Sequence, residues 1–314
     1  MKKITCAAAM LTLIPMASFA AGPKMSGFID TGFVLSDGTT AAGVPSQLEM
    51  RYFTSAELDF ELDAGSKANV RLDVDFPDFG GTNIAVVEQA YAAFSVDTKT
   101  KLSVGIMNNP FGWEKQDAPD MYTISAGLIA WFWDDQTSRD GNNIQGTLVE
   151  HNAGDFKIFG GIVNDLGYVP EEISILIGVT ASPVRNLEIT GGLVTMDDTA
   201  AAAAGNIINV NATWKNGPLM VGGELIMPGQ FVDQGLGVLG NYKVNREFSV
   251  TGRYNMLNFE APGTDSVSSV TFAGLYELDK NIFINGEFAS IDDATNATGL
   301  GDGAIISLEL LGTF

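Results

Sequence analysis

Acidic residues recur at every second position from Glu57 to Asp63 (Glu57, Asp59, Glu61, Asp63), and Asp73 and Asp75 resume the series. Arg51 and Arg71 stand in the same pattern, and Arg253 follows far along the chain. A second charged group, Glu114, Lys115, Asp117 and Asp120, lies in a stretch rich in aromatic residues. Carboxylates and guanidinium groups at fixed spacing serve acid–base catalysis, metal binding or the steering of ions by a fixed field. Catalysis is poorly supported. The one histidine is His151 and the one cysteine is Cys6, so no second imidazole and no further thiol is at hand for a zinc site or an activated nucleophile. No metal and no cofactor is expected, and the chain reads as no enzyme.

The elements that position these charges alternate. From Leu48, one parity reads Leu48, Met50, Tyr52, Thr54, Ala56, Leu58, Phe60 and Leu62; the other reads Glu49, Arg51, Ser55, Glu57, Asp59, Glu61 and Asp63, with Phe53 the single apolar intruder. Successive strand side chains point to opposite faces, so this is a two-faced strand. After a turn at 64–67, Val70, Leu72, Val74 and Phe76 oppose Asn69, Arg71, Asp73 and Asp75, completing a long antiparallel hairpin. Such a hairpin suits a soluble sandwich, with the apolar face packed on a second sheet, or a membrane barrel, with that face in lipid.

Residues 1–20 have the form of a cleaved secretory signal: Lys2 and Lys3, an apolar run over 4–16, then Ser18-Phe19-Ala20. The remainder, 21–314, reads as one domain. It is rich in glycine (36) and phenylalanine (19), and the whole chain carries a net charge of -21 that disfavours nucleic acid as a partner. A mean hydropathy of +0.14 beside so many acids suits a chain whose alternate residues face lipid. The pattern predicts strands at 27–35, 48–63, 69–76, 83–96, 101–107, 143–150, 156–163, 173–181, 187–195, 207–214, 219–227, 236–244, 248–256, 270–278, 282–290 and 304–314. That is about sixteen, with fourteen or eighteen left open by ambiguous parity near Ala90, Ile144 and Ile158.

Connections alternate between short ones (64–67, 97–100, 151–155, 182–186, 215–218, 245–247, 279–281) and longer ones (36–47, 77–82, 108–142, 164–172, 196–205, 228–235, 257–266, 291–303). Short turns on one rim and long loops on the other favour an all-β transmembrane antiparallel barrel, with the short turns periplasmic and the long loops extracellular. Phe156, Trp214, Phe248, Tyr276 and Phe314, near the short-turn rim, suit an interfacial aromatic girdle. The inward parity holds Asp30, Glu49, Glu57, Asp59, Glu61, Asp63, Asp73, Asp75, Glu188, Glu224, Glu277, Glu287 and Glu309 against Arg51, Arg71, Lys243 and Arg253.

The ending Ile306-Ser307-Leu308-Glu309-Leu310-Leu311-Gly312-Thr313-Phe314 resembles the last strand of Gram-negative outer-membrane proteins. Glu88-Gln89-Ala90-Tyr91, Leu102-Ser103-Val104-Gly105-Ile106, Asn109-Pro110-Phe111-Gly112-Trp113-Glu114 and Asp117-Ala118-Pro119-Asp120 are similar to porins of the OmpL-like and phosphate-selective-like groups. The resemblance implies a water-filled channel for small hydrophilic solutes, with Phe314 read by the barrel-assembly machinery, outer-membrane lipid and lipopolysaccharide around it, and a homotrimer as a possible assembly. It also implies that the third long loop, 108–142, folds into the lumen and sets the constriction; a cap outside the barrel or a latch on a neighbouring subunit is the alternative. The arginine and lysine ladders of phosphate-selective porins are sparse here, so phosphate selectivity is not implied. A constriction built from Glu114, Lys115, Asp117 and Asp120, with Glu57 and Asp59 on the wall and Arg51, Arg71 and Arg253 opposite, would prefer cations. A substrate-specific channel and a non-conducting structural or adhesive barrel are the competing readings.

Overall fold

The computed structural model describes residues 22–38, 48–79, 82–83, 85–115, 117–137, 141–166, 172–196, 206–228, 232–259, 266–293 and 302–314; the expected signal segment lies outside them. Its dominant feature is a closed barrel of sixteen antiparallel strands. In chain order these are β1 (Lys24–Gly38), β2 (Glu49–Asp63), β3 (Ala68–Phe76), then β6 (Val86–Ser95) to β18 (Gly303–Thr313), with a two-stranded flap of β4 (Asp78–Phe79) and β5 (Thr82–Asn83) in the connection after β3. Between β6 and β18 run β7 (Thr100–Asn108), β8 (Asn143–Asn152), β9 (Phe156–Asn164), β10 (Ile173–Val184), β11 (Leu187–Thr195), β12 (Ile207–Asn216), β13 (Leu219–Met227), β14 (Val232–Lys243), β15 (Phe248–Phe259), β16 (Val267–Asp279) and β17 (Ile282–Asp292). Each barrel strand pairs with its neighbours in sequence, and β1 closes the ring by pairing with both β2 and β18. At the seam the Phe314 N–H donates to the Gly27 carbonyl at 3.1 Å, and the Gly27 N–H donates to the Phe314 carbonyl at 3.3 Å.

The alternation places Ile29, Ile158, Ile162, Ile175, Ile177, Val238, Phe272, Leu308 and Leu310 on the outside, all well exposed. A continuous outer belt of this kind is untenable in water and at home in hydrocarbon. No helix among the described residues is long and apolar enough to span a bilayer. Trp214, Tyr276, Phe156 and Phe314 sit exposed at the short-turn rim, as an interfacial girdle requires.

Part of the interior is filled by apolar side chains. The segment after β7 turns into the barrel and forms a short 3₁₀ turn (Ala118–Asp120) and a helix, α1 (Leu128–Thr137). Leu128, Ile129, Phe132 and Trp133 of α1 are buried against inward-facing Val194, Ile207, Ile226, Leu257 and Val267. The run Leu128-Ile129-Ala130-Trp131-Phe132-Trp133 has no polar face and hence no 3.6-residue alternation, so α1 leaves no periodic signature in the sequence.

The in-folded loop and the candidate pore

The base of the loop is closed by two asparagines. The Asn109 amide nitrogen donates to Asn142 Oδ1 at 3.1 Å, the Asn142 side chain donates to the Phe111 carbonyl at 2.9 Å, and the Asn109 backbone N–H donates to the Asn142 carbonyl at 3.0 Å. Phe111, wholly buried, then stacks on Trp133 and meets Phe159 of β9 edge-on at 5.3 Å.

Three inward side chains of the far wall receive the loop. Glu224 of β13, 4% exposed, accepts the Trp113 backbone N–H at 2.8 Å, the Trp133 indole N–H at 2.9 Å and the Asn209 amide. The Trp113 indole N–H donates to Thr213 Oγ1 at 2.6 Å, and its ring lies over Gly222, where any Cβ would collide with it. Glu287 of β17 accepts the Ile124 and Ser125 backbone N–H groups at 2.7 and 3.1 Å and the Ser125 hydroxyl. Arg253 of β15 pairs with Glu114 and donates to Thr123 Oγ1 at 2.8 Å, the Ser125 carbonyl at 2.6 Å and Thr271 Oγ1 at 3.2 Å. Buried charges need this degree of hydrogen bonding to be tolerated. Burial lifts the Glu114 carboxyl above its ordinary range, and the Arg253 charge opposes that rise.

Two of the expected roles are corrected by this geometry. Arg253 does not face Glu114 across an opening; the two are ion-paired and sealed in the junction of loop and wall, because the loop crosses to β12–β17 and covers the inward face of those strands. Glu57, only 3% exposed, is likewise shut behind the loop instead of lining open water. Asp59 and Asp73 hold Arg71 at 3.3 and 2.6 Å. Asp117 is half-buried against Glu57 and Glu88, and burial together with the charge of Asp120 raises its carboxyl above the usual range. Arg51 is exposed towards the long-loop end of β2.

What stays open is a cavity of about 880 Å³ between the loop and the wall from β3 through β13. Arg71, Lys101, Lys115, Lys157 and Lys215 line it, against Glu114, Asp120, Glu150, Asp155 and Glu188. Lys157 and Lys101 both reach Glu150, at 3.2 and 3.8 Å. Tyr91, Trp113 and Tyr122 add aromatic edges. Lys101, Glu150, Lys157 and Lys215 were not singled out from the sequence, although each lies on the inward parity of its strand within a few residues of a short turn. His151 is exposed, with its Nδ1 2.9 Å from Thr100 Oγ1.

A closed sixteen-stranded barrel with an apolar outer belt and an in-folded third long loop has the architecture seen in outer-membrane porins. A model for phosphate-selective porin O and P matches residues 31–161. The anion-selective porin from Comamonas acidovorans superposes with a TM-score of 0.70 at 16% identity, covering 93% of this chain and 99% of that one. OprB of Pseudomonas putida does so with a TM-score of 0.71 at 11% identity, over 93% and 94% of the two chains. The outer-membrane channel DcaP of Acinetobacter baumannii gives 0.69 at 12% identity, over 93% and 97%. No curated protein sequence matches the chain.

Proposed function

We propose that the barrel is a channel, and not an enzyme, through which small hydrophilic solutes diffuse across the outer membrane. The observation behind this reading is the cavity of about 880 Å³ beside the loop, edged by ten acidic and basic side chains and lying within a barrel wide enough to leave an aqueous lumen. Planar-bilayer recording on pure, folded protein tests it: stepwise conductance is the expected result, and its absence would overturn the proposal.

The ion preference we infer is slight. The acids over 57–75 that pointed to cations are largely enclosed behind the loop or paired with Arg71, and with Glu114 taken up by Arg253 the cavity sets Arg71, Lys101, Lys115, Lys157 and Lys215 against Asp120, Glu150, Asp155 and Glu188, which is close to balance. A relative of similar fold is described as anion-selective, which gives the cation reading no support. Phosphate selectivity, suggested by the name of the matching family, is not proposed, since Arg71, Lys101 and Lys157 already have carboxylate partners. Phe314, backbone-paired to Gly27 with its ring outward, we assign to recognition by the barrel-assembly machinery. Its deletion should lower the yield of assembled barrel more than synthesis, and an undiminished yield in the outer membrane would remove that role. Assembly as a homotrimer, with lipopolysaccharide on the outer face, is part of the same reading.

A further inference from the structure

The charges of the barrel are sorted along its axis. Seven of the eight long connections, all but 108–142, hold thirteen aspartates and glutamates and not one lysine or arginine. The seven short connections hold Lys67, Lys99, Arg185, Lys215, Arg246 and Lys280 against Asp97, Asp155, Glu247 and Asp279. The strands are antiparallel and pair in chain order, so each set of connections stands at its own end of the barrel.

The strand ends repeat the pattern. Asp37, Glu172, Asp233 and Asp292, in or beside the long-loop ends of β1, β10, β14 and β17, are exposed, and none is in an ion pair among the described residues. Among the described bases outside the in-folded loop, Arg51 alone lies near a long-loop strand end. Close to the short turns both signs meet on the inward parity. Lys24 lies 3.9 Å from Glu61, and Lys101 and Lys157 share Glu150. A passage through the barrel therefore runs from an acidic mouth, through a cavity close to charge balance, to a rim of mixed sign.

We propose that this step in fixed charge makes the channel pass current unequally in its two directions, the larger current flowing when cations enter from the long-loop end; the inference rests on the channel reading. An acidic mouth gathers cations and turns anions away, so cations carry most of the current there. In the balanced cavity both ions carry it. With the long-loop side positive, cations arriving from the mouth meet anions arriving from the short turns, and the passage fills with salt. With the polarity reversed, cations leave through the mouth faster than they enter from the turns, anions leave without replacement, and the passage empties. The same step makes the zero-current potential depend on which end faces dilute salt. It stays small when the short turns do and shifts towards cations when the long loops do, because concentrated salt screens the mouth.

The test is single-channel recording of folded protein in symmetric KCl. Ser66→Cys, exposed on the first short turn, carries a biotin that marks orientation, because 21–314 holds no other cysteine and streptavidin in one chamber reaches only channels whose short turns face it. At about 0.01 M, where the screening length is about 30 Å, currents at opposite voltages should differ by about 2-fold or more, the larger with the long-loop side positive. At about 1 M, where that length is about 3 Å, they should be equal. The quadruple variant Asp37→Asn/Glu172→Gln/Asp233→Asn/Asp292→Asn, changed only at exposed positions, should lower the ratio and keep the conductance in concentrated salt. Glu247→Gln/Asp279→Asn, which removes acids from the other end, should not lower it. Equal currents in dilute salt, the opposite sign, or an unchanged ratio in the quadruple variant, from channels that conduct normally in concentrated salt, would overturn this proposal and leave the channel reading standing. No conductance at any salt concentration would overturn both.

Discussion

Arg253 and Glu114, 139 residues apart in sequence, form one ion pair whose side chains are 3% and 9% exposed. The pair joins a barrel strand to the loop inside it, so the position of the loop depends on a charge pair that water barely reaches. Changing Arg253 to Met leaves Glu114 buried with its main partner gone. Breaking a buried pair from one side costs about 3–5 kcal/mol, so the loop should leave the wall and the conductance should rise. The double variant Arg253→Met/Glu114→Met should recover much of the lost stability. Urea denaturation of the two single variants and the double variant, with single-channel recording, measures both effects; additive losses would rule out the coupling.

The second prediction concerns pH. Asp117 is raised above its ordinary value of 3.8, first by burial and then by the charge of Asp120. The folded protein therefore holds this proton more tightly than the unfolded chain does. Stability from this group is fully present below 3.8 and is lost as pH rises through the folded value. Asp117→Asn should be more stable than wild type at neutral pH, and the two should converge in acid. A variant less stable than wild type at neutral pH would show that the carboxylate is not electrostatically strained there.

A third prediction rests on contact instead of charge. Gly222 lies under the Trp113 ring, with no room for a Cβ. Gly222→Ala should push the indole away from Thr213, at a cost of about 1–3 kcal/mol, and shift tryptophan emission. Gly240→Ala on the neighbouring strand β14 meets nothing within 4 Å and serves as the control. Identical emission from both variants would mean that Trp113 does not rest on that wall.

Much of the barrel was legible because two solvents impose one rule: each strand meets lipid on one side and water or polar groups on the other, and a period of two follows. The sixteen strands, the short turns and the inward parity of Glu224, Arg253 and Glu287 could all be read in that way. What the loop covers could not. Parity shows that Arg253 points inward but not that Glu114 meets it there, because that contact depends on the path of a segment with no regular period. Glu88 was hidden for a local reason, since its inward position comes from a register shift in the β3–β6 pair that alternation cannot foresee. Counting inward acids therefore overstated the field in open water, and the lysines beside the short turns went unweighed.

Those lysines support the last prediction. Lys101 and Lys157 converge from β7 and β9 on Glu150 of β8, 3.8 and 3.2 Å away, at the edge of the cavity. The three side chains are partly exposed, so the pairs add little stability and their use lies in balancing charge. Glu150→Gln keeps the shape and removes one negative charge, leaving two ammonium groups unopposed beside the passage. Fixed charge of one sign in a narrow opening lowers the barrier for ions of the other sign. The zero-current potential in a KCl gradient should be small for wild type and should move towards chloride in Glu150→Gln. Screening sets the conditions, because the Debye length is about 30 Å at 0.01 M and about 3 Å at 1 M, so the shift should be large in dilute salt and fade in concentrated salt. A potential that does not change on substitution, at low salt and with normal conductance, would mean that ions do not pass along this side of the barrel.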